Sequence, residues 1–409
     1  MDSYHWNVMW KLIFVFTLIY FSSCISAFPL QWRELESDGP AVLTTEPNAR
    51  PAPQDQVALW CHSDDVYLLG QDKQLWKYEG DSVLGRWLWL CPAPIGVKDN
   101  SYWTIRDLLY VQVDGTLYSH NPLTREWSTV FNNSVFAASQ GTACTTWTDP
   151  MNNRIFLYGG LDKQNNVLDE MWSFNIETKT WTQHPGSNQP GSLAHGRATR
   201  VENFVYLFGG DETNNGLPTS NLLWKMDLAT MAWQRVDLAD NTQPAARISH
   251  VFFPQPEKNA LVLFGGRHGS TVYGDMWIFD LENQQWKQQS KGSKPSPRFH
   301  AGWCTDDESS TFVIGGAASV SNAQELNNDI WRYGYQSTRH LLAEFFRIDF
   351  NAVQLSSTIG GVCSMITLIL LVIYGLVACV YKCRKRRQNR MASAVSMEKV
   401  SSDNKDDLF

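Results

Sequence analysis

The chain has 409 residues and a formal net charge of −7, and only 18 % of its residues are charged. Its 18 Trp and 27 Gly, with few long polar periodic runs, point to all-β structure with tight turns rather than a helical bundle. The acidic balance excludes the phosphate backbone of a nucleic acid as its main partner.

At the N-terminus, Lys11 precedes the apolar run Leu12–Phe21, which is followed by Ser22-Ser-Cys-Ile-Ser-Ala27. One positive charge, a short apolar core and a small-residue exit are the grammar of a secretory signal peptide. Residues 1–27 are assigned to it, with cleavage after Ala27, although Ile25 is larger than the usual residue at that place. The other reading is an uncleaved anchor, for which the core falls short of the roughly 20 apolar residues a membrane span needs.

The middle of the chain repeats. Four copies align on Gly-Gly: Phe156-Leu-Tyr-Gly159-Gly160, Tyr206-Leu-Phe-Gly209-Gly210, Val262-Leu-Phe-Gly265-Gly266 and Phe312-Val-Ile-Gly315-Gly316, spaced by 50, 56 and 50 residues. A Trp follows each pair, at Trp172, Trp224, Trp277 and Trp331, and the first three copies add a second Trp nine residues on, at Trp181, Trp233 and Trp286. In its paired glycines and paired aromatics this pattern resembles the kelch repeat, in which about 50 residues build one four-stranded propeller blade. The resemblance implies a β-propeller with structural Gly and Trp positions: glycine for positive φ and close approach, Trp for burial between blades.

Two weaker copies precede the four. Val66-Tyr-Leu-Leu-Gly70 leads to Trp76 and Trp87, and Leu108–Val113 leads to Tyr118 and Trp127. The fold class expected is therefore all-β, a six-bladed kelch propeller over residues 28–335. The sixth copy lacks its second Trp, and Leu30-Gln-Trp32-Arg-Glu-Leu35 looks like Ala232-Trp233-Gln-Arg-Val236, so the N-terminal strand is expected to close the ring. The rival for that place is Leu341–Phe350, which also suits a short amphipathic helix.

Beyond the propeller, residues 336–355 read as a juxtamembrane stalk and 356–381 as one C-terminal transmembrane helix, since Ile359–Tyr381 holds no charged residue. The basic run from Lys382 to Arg390 places the C-terminus in the cytoplasm. The tail, 382–409, carries eight Lys/Arg against four Asp/Glu, which leaves the ectodomain distinctly acidic. Cys379 and Cys383 are palmitoylation candidates. The end, Ser401–Phe409, resembles acidic and aromatic adaptor signals, with a solvated tail as the plainer reading.

Leaving blade six after its third strand would place the tether on one face and the longer loops on the other. Those loops are Leu161–Asn166, Asp211–Pro218, Arg267–Tyr273 and Ala317–Asn327. Partners of similar kelch propellers bind there. Arg197, Arg247 and Arg298 are read as recurring at one phase, available either to clasp an acidic ligand or to pair within blade junctions. Asp211 and the Arg267-His268 pair complete the ligand-binding candidates, with Arg267-His268 outside that register.

Asn132-Asn-Ser134 is a glycosylation sequon. Of the ectodomain cysteines, Cys61–Cys91 within blade one is the expected disulfide, with Cys144 and Cys304 as buried thiols. The nine scattered His and the absence of Cys-x-x-Cys suggest no metal and no cofactor. No catalytic constellation is recognised, so the chain is expected not to be an enzyme. The function expected is cell-surface or endomembrane recognition of a protein or glycan. The alternatives are a membrane-anchored carbohydrate-active enzyme or oxidase, and a cargo-sorting receptor whose tail engages a trafficking adaptor.

Overall fold

The structure is a computed structural model. It describes residues 31–36, 50–62, 65–79, 86–97, 102–106, 108–113, 115–132, 142–186, 188–213, 219–290, 292–306, 309–322 and 325–334. The first strand is β1 (Gln31–Glu36). Blade one follows as β2 (Val57–His62), β3 (Asp65–Gly70), β4 (Gln74–Glu79) and β5 (Arg86–Pro92). Blade two is β6 (Tyr102–Ile105), β7 (Leu108–Val113), β8 (Thr116–Asn121) and β9 (Glu126–Asn132). Blade three is β10 (Thr145–Asp149), β11 (Arg154–Tyr158), β12 (Met171–Asn175) and β13 (Thr180–His184). Blade four is β14 (Arg197–Val201), β15 (Phe204–Phe208), β16 (Leu223–Asp227) and β17 (Trp233–Arg235). Blade five is β18 (Val251–Gln255), β19 (Ala260–Phe264), β22 (Met276–Asp280) and β23 (Gln285–Gln289), with the hairpin β20 (Arg267–His268) and β21 (Thr271–Val272) between its second and third strands. Blade six is β24 (Gly302–Thr305), β25 (Thr311–Ile314) and β26 (Ile330–Gly334), and β1 is its fourth strand.

Each blade is a four-stranded antiparallel meander from the axis outward. Second strands such as Ala260-Leu-Val-Leu-Phe264 are buried at every position because neighbouring blades cover both sheet faces. Among the described residues, each interface between neighbouring blades has its own apolar cluster.

The nine-residue Trp spacing has a local cause. Asn121, Asn175, Asp227 and Asp280 each end a third strand and accept backbone N–H bonds from the residues two and three ahead. Each turn then closes through a left-handed residue, Arg125, Lys179, Met231 or Gln284. Asx turns of constant length thus return the chain so that the outer-strand Trp faces one residue of the third strand. The pairs are Tyr78↔Trp87, His120↔Trp127, Phe174↔Trp181, Met226↔Trp233 and Phe279↔Trp286.

Trp32 takes the same place in blade six, opposite Tyr333 with ring centroids 5.1 Å apart. The ring is closed by the N-terminal strand. The rival segment Leu341–Phe350 lies outside the described residues, as do the signal peptide, stalk, membrane span and tail with Cys379 and Cys383. Among the described residues, no helix is long and apolar enough to cross a membrane.

The Cys61–Cys91 pairing is corrected. Cys61 is bonded to Cys304, with 5.7 Å between their Cα atoms, and Cys91 is not its partner. Cys91 lies on β5, three strands out from β2, a separation of roughly 14 Å that no disulfide spans. Ring closure instead sets β2 against β24, so residues 243 apart in sequence become neighbours.

His120 stands where the other blades carry Tyr, Phe or Met. It is 0 % exposed, 4.8 Å from the Trp127 ring and 5.9 Å from that of Trp60, and burial pushes its pKa down to about 4. The unfolded chain holds this group near 6.5 and takes up the proton first. Stability present above about pH 6.5 is therefore lost as the pH falls toward 4, by about 2 kcal/mol at pH 5. Replacing His120→Phe should raise the urea midpoint at pH 5 relative to wild type by more than it does at pH 7.5. Equal shifts at the two values would show that His120 does not titrate in this way.

Candidate functional site

The Gly-Gly pairs shape the face that carries the long loops. Gly265 and Gly266 have φ of 68° and 91°, and a Cβ on Gly265 would sit 2.5 Å from the carbonyl oxygen of Arg298. Only glycine lets the second strand end so close to the segment entering the next blade. The second glycine then donates its N–H to that segment: Gly160 to Leu193, Gly210 to Arg247, Gly266 to Arg298, and Gly316 to Gln54 across the closing seam.

Two residues beyond Leu193, Arg247 and Arg298 the chain turns left-handed and starts the inner strand. Those residues are His195, Ser249 and His300, with Ala143 at the same place in blade three, all at φ between 54° and 60°. Their backbones are bonded head to tail around the axis: His195 N–H to Ala143 O at 2.8 Å, Ser249 N–H to His195 O at 3.1 Å, and His300 N–H to Ser249 O at 2.9 Å. Asp55 lies one residue beyond the acceptor Gln54, before β2, and its carboxylate is 3.0 Å from His300 Nδ1. The rings of His195 and His300 are 6.3 Å apart.

His195 and His300, with Gln56, Arg197 and Tyr102, line a cavity of about 10 Å³ at the axis, the room of one water. Beneath it lies a larger cavity of about 230 Å³ between the inner strands, lined in part by Thr104, Thr146, Thr148, Thr305 and Arg200. Tyr102 and Arg197 border both and form the partition. The Tyr102 hydroxyl meets the backbones of Leu59 and Trp303. Burial pushes its pKa up, while Arg197 and those backbone groups pull the other way. Arg197 donates Nε–H to the His250 carbonyl at 3.0 Å. Burial, then Arg247 and Arg197, keep the fully enclosed His250 imidazole well below its usual pKa.

The arginine register is corrected. Arg247 and Arg298 do share a phase, but its blade-four member is Leu193, and Arg197 lies four residues later on the inner strand. Arg247 is 0 % exposed and Arg298 1 % exposed, so neither reaches a ligand. Arg247 makes a bidentate pair with Asp275 at 2.6 and 2.9 Å and a bond to Gly265 O at 2.8 Å. Arg298 pairs likewise with Asp329 at 2.6 and 2.7 Å and with Gly315 O at 3.1 Å. Each carboxylate also accepts the third-strand Trp of its blade, Trp277 at 2.7 Å and Trp331 at 2.6 Å. Burial would raise the Asp275 carboxyl, and the Arg247 guanidinium outweighs that and holds it below the usual carboxylate range.

Asp211, Arg267, Leu161 and Ala317 prove equivalent, each bridging the blade-entry segment on one side and its own loop on the other. The Arg267-His268 pair therefore has a register after all. Asp211 is buried, and its carboxylate accepts the Thr213 N–H at 2.8 Å. Arg267 is half-buried over the Phe299 ring, 5.4 Å from its centroid. Burial draws the Arg267 pKa down, and Asp211 and Asp55 draw it back up. His268 Nδ1 hydrogen-bonds the Thr219 hydroxyl. Asn132 ends the outer strand of blade two and is exposed, while the rest of its sequon lies outside the described residues.

The matching family model is described as the KLHDC2/KLHL20/DRC7 Kelch-repeats domain, and it fits residues 109–257 and again 195–345. The chain belongs to this kelch-repeat family. The kelch match begins inside blade two, so blade one, which keeps a single glycine, falls outside it. Acyl-CoA-binding domain-containing protein 4 of Arabidopsis thaliana is 26 % identical over 278 residues, covering 62 % of this chain and 41 % of that protein. Kelch domain-containing protein 2 of Bos taurus is 25 % identical over 221 residues, covering 44 % of this chain and 52 % of that protein. The chain thus spans about half or less of the length of these relatives. The solved structure of YjhT superposes with a TM-score of 0.56 at 16 % identity, covering 70 % of this chain and 96 % of the other, a likeness of fold.

Sequence reading missed Asp55, His195, His300 and Tyr102. The signal was present two residues after each arginine of the shared phase, in Arg247-Ile-Ser249 and Arg298-Phe-His300, and after Leu193 in Leu193-Ala-His195. Among the described residues, no group of three or more His, Cys, Asp or Glu is arranged to hold a metal.

The division between kelch scaffold and exposed site can be measured. Arg298→Ala strands a buried Asp329 carboxylate and should cost about 3–5 kcal/mol in chemical denaturation. Arg267→Ala should cost under about 1 kcal/mol. Similar losses for the two would refute the assignment.

Proposed function

We propose that this kelch propeller is the recognition head of a single-pass membrane protein, with its N-terminus luminal or extracellular. It takes a protein or glycan partner on the face that carries the long loops. The observation that carries this reading is the pairing of Gln31 with Gly334. The propeller's first and last described residues lie side by side at one end of blade six. That end is opposite the loop joining β25 to β26, because a third strand runs away from that loop. A tether leaving after Gly334 points the axial dimple, Arg267 and His268 away from its own attachment.

Three further features support the compartment. The N-terminal segment has signal-peptide grammar. The uncharged run Ile359–Tyr381 meets a basic block on one side only. The Cys61–Cys304 bond suits an oxidising environment. A protein partner is in keeping with the kelch-repeat family. A second reading, a tethered enzyme working at the axis, is favoured by His300, which pairs with Asp55 and lines a cavity with Arg197 and Tyr102.

Topology is tested by expressing the full chain in cells. Asn132→Gln should remove one glycosidase-sensitive increment of mass, and a C-terminal epitope should stay inaccessible until the membrane is permeabilised. An epitope exposed on intact cells would reverse the orientation.

Function is tested by displaying the full chain and screening panels of proteins and glycans. Arg267→Ala with His268→Ala should weaken the captured partner at least tenfold. Binding that survives those changes but falls on substituting turns at the opposite face would overturn the reading. Turnover of a small molecule abolished by Asp55→Asn would favour the enzyme.

A further inference from the structure

Ring closure concentrates the whole topology of the fold at one seam. From blade one to blade six, each interface is crossed by the polypeptide as it passes from one outer strand to the next inner strand. Between blades six and one the chain crosses only through β1, which is held to β26 by the ladder from Gln31↔Gly334 to Glu36↔Ile330, irregular between Glu34 and Glu36. If β1 peels away, it leaves with blade one, and the first and last blades keep no connection through the outer strand.

The inner side of this seam carries the disulfide. Cys61 on β2 and Cys304 on β24 join blades one and six beside the axis. Both contribute to the apolar cluster of that interface, with Leu59, Trp76, Phe312 and Ile330. Both also border the cavity of about 230 Å³, next to Trp303 and Thr305, so the bond is reachable by a small thiol from the cavity. Among the described residues the other two cysteines sit elsewhere: Cys91 is on the outer strand of blade one, and Cys144 is in blade three with its Sγ 3.3 Å from Gly159 O.

We propose that Cys61–Cys304 is a redox latch that holds the ring closed independently of β1, so that a dithiol reductant turns a doubly latched ring into one closed by the N-terminal strand alone. A thiolate of the reductant attacks the Sγ of Cys61, the less buried of the two residues. The S–S bond breaks and Cys304 leaves as a thiolate, which is then protonated. The second thiol of the reductant closes its own disulfide and releases Cys61, so two electrons and two protons pass from reductant to protein. The oxidised propeller tolerates fraying of β1, whereas the reduced one opens when β1 leaves. The latch is a property of the propeller and stands whether or not the chain continues into a membrane.

The test uses the full chain purified without reductant. Non-reducing peptide mapping should return a Cys61–Cys304 cross-linked peptide, and a Cys61–Cys91 peptide, or none, would overturn the proposal. Thermal midpoints are then taken for wild type and Trp32→Ala, each with and without dithiothreitol added after folding. Reduction should lower the wild-type midpoint by roughly 5–10 °C. The drop caused by Trp32→Ala should at least double once the bond is reduced, because the two latches act on the same opening. An unchanged Trp32→Ala drop would show that they do not. The Cys61→Ser/Cys304→Ser variant, where it folds, should match the reduced wild type without reductant. If it does not fold, the post-folding reduction still decides.

Discussion

The hydrogen bond from the second glycine of each Gly-Gly pair to the segment entering the next blade is the contact from which the ring is built. It recurs from Gly160 to Leu193, from Gly210 to Arg247, from Gly266 to Arg298 and, across the closing seam, from Gly316 to Gln54. Because the first glycine lies where a Cβ would strike the same carbonyl, two backbones approach more closely than side chains permit. That approach fixes the rotation between neighbouring blades. It also throws the residue two positions on toward the axis in a left-handed conformation. The axial histidines are thus a by-product of how the blades are stapled.

The same staple explains the buried arginines. A blade-entry segment pulled tight against the preceding Gly-Gly has nowhere to send a long cation except inward. Arg247 and Arg298 meet Asp275 and Asp329 there, and each carboxylate is shared with the third-strand Trp of its blade. Such fully hydrogen-bonded pairs offset their desolvation and tie the entry segment to the third strand. Where Leu193 takes this place the junction is apolar, and Leu193 joins the cluster between blades three and four.

Blade six shows how an array of repeats becomes a ring. Its fourth strand comes from the far end of the chain, and Trp32 meets Tyr333 in the register that Trp286 uses to meet Phe279. Closure brings β2 beside β24 and makes the Cys61–Cys304 bond geometrically available. It also places both ends of the propeller, Gln31 and Gly334, on the side away from the loops. Tyr102 and Arg197 then divide the axial space into a shallow mouth on the loop side and a larger hydroxyl-lined cavity below.

What the sequence by itself determined is periodic and local. Gly159–Gly160 and its counterparts, the Asx-turn residues Asn175, Asp227 and Asp280, and the Trp spacing each act within about a dozen residues, so their pattern survives in one dimension. Trp32 was legible for the same reason, since it repeats the neighbours of Trp233. The tertiary structure alone decided what closure and depth control. Cys61 found Cys304 rather than Cys91 because the ring, not the sheet, makes them neighbours. Arg247 and Arg298 were withdrawn from the surface by carboxylates 28 and 31 residues away. Asp55 and His300, 245 residues apart, became one site. Repeats announce the blade because its contacts are short in sequence, whereas the axis and the seam join residues from different blades, and no spacing along the chain encodes those distances.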